Sequence, residues 1–201
     1  MRKADLRRRC GDFLAEADRI HDRANRIDQQ VRRMSDKRWA YEMLAVSAVT
    51  AWTDFIEDVF YGGINRDSAA LSKTLGLDLP QHLTLPLCEA LFTTNGFLDF
   101  RDGGDLRGKA RKFLGGDHPL ATLPNASTHA IDRLRAARNF IVHRSRVAKA
   151  RYRTQVLRPL GVQKLVAPGR LLMARKSGRP RLIAYLEVMR SAVGAIYDDL
   201  D

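Results

Sequence analysis

Arg138, Asn139 and His143 are the residues of this 201-residue chain whose types and spacing could do chemistry. Histidine titrates close to neutral pH and can take or give a proton. An arginine fork stays protonated and can hold negative charge that builds on a phosphorus. An asparagine can orient either one by hydrogen bonding. RNA can be cut with no more than this, since its own 2′-hydroxyl can attack the adjacent phosphorus. The products are a 2′,3′-cyclic phosphate and a 5′-hydroxyl. One proton must leave the 2′-hydroxyl, and another must reach the departing 5′-oxygen.

The three residues belong to a segment expected to be a long helix over 127–153, opened by Asn125, Ser127 or Thr128. On a helical wheel Ile131, Leu134, Ala137, Ile141, Ser145, Ala148 and Tyr152 form a core face. Asn139 and His143 lie roughly 40° apart on the opposite side, whereas Arg138 is about 140° from His143. Arg138 must therefore reach around the helix or act across an interface. Ala136, Phe140 and Val147 add a second apolar stripe near the polar pair, which a partner chain or another part of the fold should cover.

Other helices are needed to hold this one. Leu6, Cys10, Phe13, Leu14, Ala17, Ile20, Ala24, Ile27, Val31 and Met34 recur at helical steps, which predicts a first helix over 1–34. A second, more central helix over 36–62 buries Tyr41, Leu44, Ala45, Ala48, Val49, Trp52, Phe55, Ile56 and Val59, with Gly62-Gly63 ending it. Residues 64–125 read as a loop-rich insertion. It has short helices at 66–75 and 83–95, an Asn95-Gly96 boundary, and mostly loop with one short helix over 101–125. After a basic linker containing Pro159, Pro168 and Gly178, a last helix over 180–200 turns Leu182, Tyr185, Leu186, Met189, Val193, Ile196 and Tyr197 inward. Arg170 to Ala174 could be extended. The fold class is all-α, an antiparallel bundle of four to five main helices in a single domain, 1–201.

Net charge is +12, and the twelve Lys and Arg residues between Arg144 and Leu186, a stretch without an acid, equal it. This asymmetry favours a polyanionic partner, because neutralising phosphates releases condensed counterions. A membrane surface fits less well, since the block has no aromatic-rich amphipathic face. No apolar run approaches the ~20 residues of a bilayer span, and the basic N-terminus has no apolar core region behind it. A cytoplasmic location is expected, with Cys10 and Cys88 as buried thiols.

The run Arg138-Asn139-Phe140-Ile141-Val142-His143 resembles the signature of the HEPN superfamily, an arginine followed after four to six residues by a histidine. The preceding helical hairpin, with Ala51-Trp52-Thr53-Asp54-Phe55 inside its second helix, and the final helix after a basic loop are similar to the RiboL-PSP-like branch. The resemblance covers roughly residues 36–200. It departs at Thr53, where related chains often carry an acid, and it assigns Asp54 and Glu57 no role. It implies a metal-independent endoribonuclease without cofactor, with His143 as general acid/base, Arg138 on the phosphorane and Asn139 orienting. Two motif copies would face each other across a homodimer, which supplies the second histidine. Toxin or defence roles, with a regulatory or antitoxin partner, are further implications of the resemblance. Arg135, Arg144, Arg146, Lys149 and Arg151 are the expected RNA-binding cations. The main rival is a catalytically silent RNA-binding or scaffold module; a second is a partner-binding subunit.

Gly103-Gly-Asp-Leu-Arg-Gly108-Lys109 matches most of a phosphate-binding P-loop, but Ala110 stands where Ser or Thr would hold magnesium, and no strand pattern precedes it. The segment is expected to be a flexible loop that approaches RNA. His21, His82, His118 and His129 show no metal-ligand spacing.

Overall fold

The first helix, α1, runs Lys3–Gln30, and three non-helical residues separate it from α2, Met34–Arg66. The computed structural model describes residues 3–92 and 100–198, and within them the chain is an all-α helical bundle with one two-residue-per-strand hairpin. The expected Asn95-Gly96 boundary, residues 93–95 of the fourth helix and residues 199–200 of the last lie outside the described residues. Two compact units are present. One comprises 1–13, 53–128 and 192–201; the other comprises 14–52 and 129–191.

In the first unit the insertion is more helical than its composition suggests. It carries α3 (Ala69–Leu75), α4 (Leu85–Phe92), α5 (Gly103–Phe113) and α6 (Pro119–Thr122). Phe60 is fully buried and meets Phe92 and Phe100 edge-on, each at 5.4 Å between ring centres. Such pairs add to area burial because ring edges and faces carry opposite partial charge. Gly62-Gly63 does not end α2, which continues to Arg66. A side chain at Gly63 would come within 2.9 Å of the end of the Leu114 side chain, which would have to shift. Cys10 and Cys88 are buried free thiols, and burial pushes Cys10 up to about 11.

The stretch 103–109 is the start of α5, which corrects the reading of a flexible loop. Asp102 caps the helix by accepting from the Asp105 amide at 2.8 Å, and a Cβ on Gly103 would strike Thr128. Lys109 pairs with Asp105 at 3.0 Å. Burial raises the Asp105 carboxyl, but the Arg101 amide and the Lys109 ammonium outweigh it and hold the group below its ordinary range.

In the second unit the central helices bury Ile20, Tyr41, Leu44, Leu134, Leu182 and Met189. The last helix, α10, spans Arg181–Asp198; its expected inward residues are buried except Tyr197. The basic stretch before it is not a linker. It contains α8 (Arg146–Tyr152), a π-helical turn (Arg153–Leu157), a 3-10 turn (Arg158–Leu160) and α9 (Pro168–Met173). Residues 170–173 are therefore helical, not extended. Pro168 suits the first turn of α9, where its missing N–H is not needed. The Gly169 amide donates to Glu42, and a Cβ there would lie 2.4 Å from the Arg38 carbonyl oxygen. The extended residues come later, Arg175–Lys176 against Arg179–Pro180. Their Ser177-Gly178 turn has both residues at positive φ, as hairpin turns that follow strand twist require.

Candidate functional site

The motif residues lie on α7, Asn125–His143, within the second unit. Ile131, Leu134, Ala137 and Ile141 are buried as the wheel requires. The helix does not continue to 153. The Arg144 amide still bonds to the Phe140 carbonyl, but Arg144 then takes a left-handed conformation, φ 48°. Such a conformation costs an L-residue roughly 1–2 kcal/mol. Ser145 follows in extended conformation, and its hydroxyl accepts from the Ala148 amide to start α8. Ser145 is exposed and not part of the core face, because the break takes it off the α7 wheel.

This break leaves His143 as the exposed last residue of α7. Asn139 is half-buried one turn earlier. Its side-chain oxygen accepts from Arg138 Nη1 at 3.2 Å, so the structure joins Arg138 to Asn139. Among the described residues no hydrogen bond joins either of them to His143. The Arg138 Nε is buried without a hydrogen-bond partner, a state that costs about 1–3 kcal/mol when nothing binds there.

Much of the second apolar stripe is covered from within the chain. Ala136 is buried, and the Phe140 ring stacks on fully buried Tyr152 at 5.3 Å. Val156, Leu157 and Leu171 complete this cluster, with Leu160, Val162 and Val166 at its margin. Val147 remains 63% exposed and Val142 48%. Ala148, Tyr152 and Val156 recur every four residues, a period slightly above 3.6, and the wider π-helical turn keeps Val156 inward.

The opposite face of the same segment lines an open groove of about 880 Å³. Its cations are Arg146, Lys149, Arg153 and Arg158, and Leu157, Gly161, Val162 and Gln163 help form its floor and far side. Among the described residues no side-chain ion pair or hydrogen bond engages any of the four. A smaller hollow of about 540 Å³ takes Arg144 and Lys149 together with Glu42, Phe140 and Leu165. Arg144, Arg146 and Lys149 thus line concave surfaces, whereas half-buried Arg135 and exposed Arg151 line neither. The sequence reading missed the contribution of Arg153 and Arg158 to a common face. The signal was present in the spacing 146, 149, 153, but the expected helix stopped at 153.

Among the described residues no three His, Cys, Asp or Glu side chains are grouped to hold a metal ion, and no helix is long and apolar enough to cross a membrane. No family model, curated protein or solved structure matches the chain.

Proposed function

We propose that this chain is a metal-independent endoribonuclease of the HEPN type, which cuts RNA by 2′-hydroxyl attack. The observation that carries this reading is the position of His143. It is an exposed imidazole at the end of α7, followed directly by Arg144 and, after one capping residue, by the cationic groove. A titratable ring beside unpaired cations suits proton transfer at a phosphodiester. Arg138, with its orphaned Nε, is the group that would hold charge on the phosphorane. Asn139 holds the Arg138 fork in place. His143 of a second copy supplies the other proton-transfer group, so the working unit is a homodimer with a composite site. Its biological use on this reading is as a toxin or defence effector under the control of a regulatory or antitoxin protein.

The test is cleavage of total RNA in EDTA by the wild type and His143→Ala, with end-group analysis of the products. Loss of 2′,3′-cyclic phosphate ends in the variant supports the enzyme. One observation favours a second reading: Asn139 is engaged by Arg138 and not by His143. A catalytically silent RNA-binding module is the outcome if both proteins leave RNA uncut yet bind it equally.

A further inference from the structure

The groove over α8 and the π-helical turn is a built surface with a definable ligand. Its lining residues Arg146, Lys149, Ala150, Arg153, Thr154 and Leu157 recur at steps of one, three and four, so they share one side of the helix. From Arg146 to Arg153 the row extends about 10 Å along the axis at the α-helical rise. Arg158 continues it beyond the π-helical turn. Four cations that share a groove repel one another, and with no acid among its described lining residues an anionic ligand is the natural way to relieve that repulsion. The row is linear, which suits a chain of anions better than a single one.

We propose that this groove grips the backbone of single-stranded RNA through Arg146, Lys149, Arg153 and Arg158, without reading its sequence. Among the described residues no aromatic side chain lines the groove to offer a platform on which bases could stack. Recognition then rests on phosphates, which are the same for every base. A double helix is a rod too broad to enter a concavity of this size, whereas a few nucleotides of one strand fit it. All four cations are exposed on a concave surface, whereas a bilayer presents its phosphates in a plane. The proposal takes the nature of its ligand from the ribonuclease reading, but binding can be measured without cleavage.

The experiment is fluorescence anisotropy of a short labelled oligo(U), an oligo(A) of equal length and an RNA duplex across a salt series. The protein is the full chain carrying His143→Ala, so that substrate stays intact. With about four phosphates engaged, log affinity should fall with log salt at a slope of about −3. Arg153→Gln/Arg158→Gln should flatten that slope by about 1.4 and weaken binding about tenfold at low salt. Arg23→Gln/Arg26→Gln, an equal loss of charge at exposed positions of α1, should shift affinity less than about twofold. Oligo(A) and oligo(U) should bind alike, and the duplex more weakly.

Equal loss in both double variants would overturn the groove in favour of diffuse surface charge. So would duplex binding as tight as single-strand binding, or an unchanged affinity in Arg153→Gln/Arg158→Gln. Binding to phosphatidylserine vesicles through the same arginines, with none to RNA, would reassign the groove to lipid. Oligonucleotide binding that depends on the groove, together with no cleavage by the wild type, would remove the enzyme and leave this proposal standing.

Discussion

Two basic helices of this chain handle their charge in opposite ways. In α5, Lys109 pairs with Asp105 and lies over the Phe100 ring, Lys112 lies over Phe113, and Arg107 donates to the Leu123 carbonyl. From α8 to the 3-10 turn, Arg146, Lys149, Arg153 and Arg158 face an open groove with no acid among its described lining residues. Both segments read as cationic in sequence. What separates them is how far the fold supplies partners: among the described residues, in α5 only Arg111 lacks one, whereas none of the four groove cations has one. A count of basic residues therefore says little about binding until each cation's partner is known.

The largest effect should fall next to the unpaired helix. His143→Ala should lower RNA cleavage by about 10²–10⁴-fold, the usual contribution of a general acid/base, while leaving oligonucleotide binding near the wild-type value. Cleavage rates with matched anisotropy titrations check this. Undiminished cutting would break the link between α8 and catalysis.

The next effect tests the satisfied region and concerns pH. His118 caps α6 by accepting from the Leu120 amide on Nδ1, so the ring must be unprotonated there. Burial, assisted by the nearby Arg66 charge, lowers it to about 4. In the unfolded chain it takes up a proton near pH 6.5. Between those values the unfolded state binds a proton that the folded state does not, so stability falls as pH drops from about 6.5 to 4. The contribution is fully present above 6.5, and the loss amounts to about 3 kcal/mol. Urea unfolding midpoints across that window measure it. His118→Asn keeps a capping acceptor and should flatten the slope.

Asp105→Asn sharpens the comparison itself. It removes the anion that neutralises Arg101 and Lys109 and should cost about 1 kcal/mol in urea unfolding. Oligonucleotide affinity should stay within about twofold, because neither Arg101 nor Lys109 lines the cationic groove. A gain equal to the groove's contribution would show that freed charge alone suffices. The smallest effect is expected at Arg144→Gly. Relief of the left-handed strain, less the extra backbone entropy of glycine, should leave a gain of about 0.5 kcal/mol in thermal or urea unfolding.

The all-α class and the long helices were legible because burial writes itself into spacing: every apolar position read in α2, from Tyr41 to Val59, is buried. Boundaries were legible only where local chemistry sets them. Gly63 looked like a stop but answers to the Leu114 side chain, a tertiary contact that local patterns do not carry. The Gly103 segment looked like a loop because its glycine answers to Thr128, and its cap residue Asp102 lies before the Gly103–Lys109 run. For the site, the placement of Arg138, Asn139 and His143 on one helix and the basic stretch after it could be read, whereas the exposure of His143 could not, since its face was expected to be covered. The break at Arg144 could not, since arginine carries no preference for a left-handed backbone. The cover over Phe140 also came from further along the chain, in a segment that composition marked only as basic.

That single left-handed residue resets the helical phase. A wheel drawn through α7 has no authority over α8, and the angle at which the cationic row faces its groove is set at the joint, not inherited from the motif. Lengthening or shortening the joint would swing the row around its axis while the turn that carries Asn139 and His143 stayed where it is. On the proposed reading, grip and chemistry can therefore diverge independently among descendants of this chain, one by changes in loop length and the other by substitution.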